Sequence, residues 1–163
     1  MTTQLAFRPI SFLTILLLST ANGFAQMPNP YGPPIGSENA KRFAAPALAE
    51  ATKNGWTMAV AIVDPSGNLV YFEKMDNTQL GSVEVAIEKA RSAALFKRPT
   101  KALQDTLAAG AEGLRVLRLA GAVPAEGGVP IVMEGNIVGA IGVSGGTYQQ
   151  DGQCARVAVD TIK

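Results

Sequence analysis

Gly127-Gly128-Val129-Pro130-Ile131-Val132-Met133-Glu134-Gly135-Asn136-Ile137-Val138-Gly139-Ala140-Ile141-Gly142-Val143-Ser144-Gly145-Gly146 decides the fold of this 163-residue chain. Two apolar runs flank the Gly135-Asn136 pair. That is the pattern of a tight β-hairpin, with glycine free to take positive φ at the first turn position. The second run carries Gly139, Gly142, Gly145 and Gly146. A strand that lacks so many side chains lets a helix, a neighbouring subunit or a ligand come close.

Upstream, Trp56 to Val63 alternates Met58, Val60 and Ile62 with Ala59, Ala61 and Val63. Both faces are apolar, which predicts a central strand with one face under helices. Asp64-Pro65-Ser66-Gly67 fits a type I turn, and Leu69 to Lys74 returns as the next strand. Ser82 to Phe96 reads as a helix. Its stripe of Val83, Ala86, Ile87, Ala90 and Ala94 is narrow enough to sit close to a sheet, while Glu84, Glu88 and Arg91 form the wet face. Another helix is predicted from Ser37, as its cap, to the stop signal Asn54-Gly55, with Pro46 kinking or restarting it. Arg98-Pro99-Thr100 ends the second helix, because the residue before proline avoids helical angles. Thr100 to Ala108 reads as a short helix and Val116 to Leu119 as a short strand. Asp151 to Ile162 reads as a last helix capped by Asp151, with Cys154, Val157, Ala158 and Ile162 inward. Hairpins with flanking helices give an antiparallel α+β sheet.

The first residues stand outside this pattern. Arg8, the apolar run Phe12 to Leu18 and the small residues of Gly23-Phe24-Ala25 read as a secretory signal over residues 1–25, cut after Ala25. An uncleaved anchor is the alternative, but the run falls well short of the ~20 residues a bilayer span needs. The mature chain is therefore expected to be periplasmic or secreted. Residues 26–36 form a Pro/Gly-rich arm. It reads as a disordered leader, the alternative being a strap packed across a neighbouring subunit. Residues 37–163 form one domain.

Without Arg8 the chain carries 13 basic and 13 acidic residues, which leaves no footprint for nucleic acid or an anionic membrane. It has no histidine. That removes the commonest general base and metal ligand, and with them Ser-His and Cys-His nucleophile pairs. The lone Cys154 cannot form an internal disulfide, and it reads as a core residue on an apolar helix face rather than a redox or ligand group. Asp64 and Asp76 sit at turns, where capping accounts for them. The glycines before the last helix lack the dinucleotide-binding spacing. Backbone N–H groups around Ser144 to Thr147 have two open readings: a cradle for a carboxylate or phosphate, or close strand–helix packing. No catalytic set emerges.

Several blocks in one order are more specific than any single one. Ala61-Ile62-Val63-Asp64-Pro65-Ser66-Gly67-Asn68-Leu69, Glu88-Lys89-Ala90-Arg91-Ser92-Ala93, Phe96-Lys97-Arg98-Pro99-Thr100, and Gly127-Gly128-Val129-Pro130-Ile131 through Gly142-Val143-Ser144-Gly145-Gly146 resemble the GlcG/HbpS family. The resemblance covers most of residues 45–163. It implies a profilin-like fold with a five-stranded antiparallel sheet flanked by helices, and assembly into homo-oligomers. It also implies a tetrapyrrole ligand, haem, since members include a secreted haem-binding redox sensor and a domain of PduO-type corrinoid adenosyltransferases. By the same resemblance Thr100 is the iron ligand, a weak one, while Lys97 and Arg98 meet the propionates. Apart from the family, these residues read as a basic helix C-terminus followed by a threonine cap.

The chain departs from members that use histidine. Any axial bond must come from Thr100, Tyr31, Tyr71, Tyr148, Met75, Met133 or Cys154. Gly146 to Cys154 has glycine and glutamine where acidic residues often stand, so a site built on those acids is not expected. The functional expectation is a secreted haem- or tetrapyrrole-binding protein engaged in haem or redox sensing. The alternatives are an accessory factor or small-molecule enzyme of a catabolic pathway, or a purely interacting module.

Overall fold

A computed structural model describes residues 29–162. Residues 1–25, read from the sequence as a secretory signal, and the first arm residues, 26–28, lie outside the described residues. The elements run α1 (Ser37–Lys53), β1 (Ala59–Val63), β2 (Leu69–Lys74), α2 (Ser82–Leu95), α3 (Thr100–Ala108), a 3-10 helix (Ala111–Arg118), β3 (Gly128–Met133), β4 (Asn136–Ser144) and α4 (Tyr148–Thr161). All strand pairs are antiparallel, in the order β2-β1-β4-β3. The α+β class and the central place of β1 are as the sequence predicts.

The alternation in β1 sorts the core into two layers. Met58, Val60 and Ile62 face α1 and α4, where Phe43, Ala47, Ile131, Ile141 and Cys154 complete a layer of mixed sizes. Ala59, Ala61 and Val63 face α2, where Ala86, Ala90, Ala93 and Ala94 answer them with almost nothing larger than a methyl. Gly142 makes this second contact possible. A Cβ there would lie 2.0 Å from the Ala86 carbonyl oxygen and 2.5 Å from the Ala90 nitrogen. Helix α2 therefore rests on the backbone of β4, and the glycines at 139, 142 and 145 serve packing within the chain.

The described sheet has four strands, not five. Two local causes explain the difference. Val116 to Leu119 is not a strand: Val116 to Arg118 belongs to the 3-10 helix. There Gly113 and Val116, three residues apart, are the buried pair, the spacing of a three-residue turn. The arm replaces what a further strand would do. β1 ends at Val63, opposite Ala140, and leaves Ile137 and Val138 without a partner on that side. The arm fills the space: Gly32 N–H donates to Ile137 O (2.9 Å), Ile137 N–H to Pro30 O (2.8 Å) and Ile35 N–H to Val138 O (2.8 Å). Over its described part, the arm is thus docked on its own sheet rather than a disordered leader.

Local signals were shifted in four places. The hairpin turn is Glu134-Gly135, with φ of +49° and +76°, and Asn136 already pairs with Met133. Both turn positions need positive φ, and the Asn136 amide steadies Glu134 by donating to its carbonyl at 3.0 Å. Helix α1 passes through Pro46 unbroken, anchored on either side by buried Phe43, Ala47 and Ala51, and its cap position is Gly36 rather than Ser37. Helix α4 is capped by Thr147, not Asp151: Thr147 Oγ1 accepts from Gln150 N–H while Gln150 Oε1 accepts from Thr147 N–H. On α2, Val83 is only half-buried, whereas Lys89 is fully buried.

Candidate functional site

The turn between α2 and α3 carries the three residues expected to hold the ligand, and the structure gives each a partner. Thr100 is wholly buried, and its Oγ1 accepts from Gly128 N–H at 2.9 Å. Lys97, at φ +53°, lays its ammonium 4.0 Å from the centre of the Tyr31 ring. Arg98 is exposed and donates from Nε to Phe96 O at 3.0 Å. Tyr31 Oη lies 2.9 Å from Ala94 O and 3.2 Å from Leu95 O, so the arm closes the C-terminal carbonyls of α2. Lys97 therefore points to the arm, while Thr100 points to the start of β3. The turn does not bring the three side chains to one place.

A groove of about 200 Å³ opens beside Thr100. Pro99 and Lys101 form one wall, Glu126 to Val129 the floor, and Gly152 and Arg156 of α4 the other wall. The floor is thin because Gly127 and Gly128 have no side chains. A Cβ on Gly128 would fall 2.6 Å from Thr100 Cγ2, and one on Gly127, which has φ +130°, would fall 2.9 Å from Lys89 Nζ. Thr100 and Lys89 thus lie directly behind the groove, one backbone layer away.

Two ion pairs fasten α4 here, one to α2 behind the floor and one to the floor itself. Lys89 Nζ meets Asp151 Oδ2 at 2.7 Å and also donates to Val143 O, with side-chain exposures of 0% and 2% for the pair. Burial pushes the Asp151 carboxyl above its ordinary range, against the opposing pull of Lys89 and of the amides of Gly146 and Gly145. Arg156 Nη1 donates to Glu126 Oε1, the Glu126 side chain buried and the Arg156 side chain 52% exposed at the groove's lip. Gln104 holds the Glu126 amide at 2.8 Å.

Asp151 also answers the question of the glycine cradle. Its Oδ1 accepts from Gly146 N–H at 3.0 Å. The chain's own carboxylate thus occupies the loop before α4. Cys154 is fully buried, and burial, with Glu50 and Asp151 nearby, pushes its thiol up to about 12. It is a core residue. Asp64 is a turn residue, its carboxylate accepting from Ser66 N–H and Asn68 N–H. Among the described residues no cluster of three or more acidic, histidine or cysteine side chains could hold a metal ion. None of the described helices is long and apolar enough to cross a membrane.

Sequence reasoning missed Lys89, Asp151, Glu126 and Arg156 as a group. A trace of one pair was present: Lys89 falls beside Ala86, Ala90 and Ala93 on the apolar stripe, where a charge needs a partner. No spacing in the chain announces that Glu126 will meet Arg156, 30 residues on.

The groove's apolar floor and cationic rim fit one edge of a flat, acid-bearing ligand. Its volume lies below the ~300 Å³ at which pockets for whole small molecules begin, so it has room for an edge and not for an entire macrocycle. Thr100, the residue expected to meet an iron, is sealed behind Gly128.

Comparison with known proteins agrees with the blocks in the sequence. The family model for the haem degrading protein HbpS-like family matches residues 35–160. Protein GlcG of Escherichia coli is 36% identical over 110 residues, covering 68% of this chain and 81% of that protein. A 15.0 kDa protein encoded between dhaT and dhaS in Citrobacter freundii is 32% identical over 123 residues, covering 74% of this chain and 87% of its own length. Among solved structures, HbpS superposes with a TM-score of 0.73 at 29% identity, covering 81% of this chain and 92% of that one. A PduOC–haem complex superposes with a TM-score of 0.71 at 28% identity, covering 80% and 96%. The match runs almost the full length of the domain, so the chain belongs to the HbpS-like family.

Proposed function

We propose that this protein binds haem, or a related metallotetrapyrrole, with one edge of the macrocycle in the groove between Pro99 and Gly127-Gly128. The observation that carries the reading is the groove itself: an apolar floor rimmed by Lys101 and Arg156, on a chain whose structural relatives include a haem complex. An apolar slot shelters a porphyrin edge from water, and guanidinium or ammonium groups at its mouth pair with propionates. Haem supplies redox chemistry at its iron when bound. The chain's own share is to orient the ring and fix its carboxylates.

Thr100 would supply an oxygen to the iron once Gly128 shifts from it. Arg98 serves as a second, mobile propionate partner, and Lys97 serves once it leaves Tyr31. Ligation of this kind is weak and labile. Export by the residue 1–25 signal, a sensing role outside the cytoplasm and self-association complete the reading. Exposed Leu114, Leu117 and Leu119 support self-association.

Haemin titration of the mature protein tests this directly. The expected result is a shifted Soret band that saturates near one haem per chain. A spectrum equal to that of free haemin at micromolar protein removes the ligand class. Thr100→Ser should keep the band position and Thr100→Val should move it. Identical bands in both remove Thr100 as the axial group. Light scattering with and without haemin reads the assembly.

A further inference from the structure

Arg156 is placed as no other cation on the groove is. Lys101, on the opposite lip, has its ammonium held by Asp105 at 2.5 and 2.6 Å. Arg156 is tied through Nη1 alone to Glu126, and among the described residues its guanidinium has no second partner. A guanidinium has five N–H donors in a planar fork, so most of those on this groove-lining side chain have no partner among the described residues. Glu126 cannot swing out with it. Glu126 is 3% exposed, its backbone amide is held by Gln104, and its carboxylate packs so tightly on α4 that a Cβ at Gly152 would lie 2.1 Å from Oε1. Arg156 is thus a half-exposed cation on a fixed buried anchor, beside an apolar slot.

We propose that Arg156 is the carboxylate-recognising residue of the groove, sharing its guanidinium between Glu126 and an acid group of the ligand. On the tetrapyrrole reading above, on which this inference rests, that group is a haem propionate. The fork geometry matches a carboxylate at two N–H donors, which an ammonium cannot reproduce. Glu126 has two opposite effects. It aims the guanidinium, and its own negative charge opposes the arriving carboxylate. A neutral side chain of the same shape keeps the aim and removes the opposition.

The test compares haemin with haemin dimethyl ester, whose propionates carry no charge. Titrations use the mature wild-type chain, Glu126→Gln, Arg156→Lys and the double variant Glu126→Gln/Arg156→Met, which leaves no buried carboxylate unpaired. Glu126→Gln should bind haemin a few-fold more tightly. The double variant should bind it about tenfold or more weakly, the size expected for a lost charge-assisted bond, and Arg156→Lys should fall between it and wild type. Binding of the diester should be the same in all four. Equal losses for haemin and its diester would reduce Arg156 to a packing role and overturn the inference, as would unchanged haemin binding in the Arg156 variants. A wild type that binds neither compound overturns both this inference and the tetrapyrrole reading. A wild type that binds both, with flat responses to substitution, overturns this inference alone.

Discussion

Helix α4 carries two charged side chains across the same stretch of backbone, and they meet opposite fates. Asp151 finds Lys89 in the interior, with both groups out of reach of water. Five residues on, Arg156 finds Glu126, but only the carboxylate is buried. Glu126-Gly127-Gly128 threads between the two pairs. The sealed pair has every strong partner it needs, and its removal should be felt as lost stability. The half-open pair keeps donors in reserve, and its change should be felt at the ligand. Burial on one side of a salt bridge or on both thus separates a fastening from a reader.

The sharpest break of this contrast is in the sealed pair. Lys89→Met should cost about 3–5 kcal/mol, because it leaves an uncompensated carboxylate in the interior. Urea unfolding reads this as a lowered midpoint. Lys89→Met combined with Asp151→Leu should recover a large part of the loss. If Lys89→Met unfolds at the wild-type midpoint, the two pairs do not differ as argued. Gly142→Ala comes next. Its methyl would enter the Ala86 carbonyl, and overpacking of this kind costs about 1–3 kcal/mol, seen as a lower melting temperature. Thr147→Ala should cost about 1 kcal/mol by uncapping α4, the helix that carries both partners. A loss of haemin affinity without loss of stability in that variant would blur the distinction between the pairs.

A smaller effect concerns pH. The Cys154 thiol, one turn of α4 from Asp151, is pushed by burial from an ordinary value near 8.5 up to about 12. The folded state therefore holds this proton more tightly than the unfolded chain. Its contribution is complete below about pH 8.5 and is lost as pH rises towards about 12. Cys154→Ala should flatten the alkaline limb of the stability profile. Native protein should also react slowly with a thiol reagent at pH 8, and rapid labelling would show that the α4 core opens more readily than the sealed pair implies.

How much of this was legible depended on whether the cause was local. The central strand Ala59–Val63, the Asp64–Gly67 turn and the glycine-rich hairpin are written in alternation and turn chemistry, and all three formed. The capping box of α4 is equally present in the sequence, as Thr147 and Gln150 three residues apart, but Asp151 is by residue type as good a cap. The arm could not be read as docked. Its proline content denies regular structure, and its place exists only because β1 ends early. Thr100 was legible as a residue of interest, but its burial was not, since that depends on Gly128, 28 positions away. Lys89 and Arg156 show the same limit, because the anions they meet come from distant parts of the chain.

Pro130 in β3 bears on a different hazard. Gly127 O accepts from Val143 N–H, so the amides of Val129 and Ile131 turn to β4 and the nitrogen of Pro130 turns to the open side of the sheet. A foreign strand laid along this border would miss a ladder bond at mid-strand. At the other border, β2, the charged and exposed Glu73 and Lys74 oppose the same approach. Both margins of the sheet are blunted against fibre-like growth.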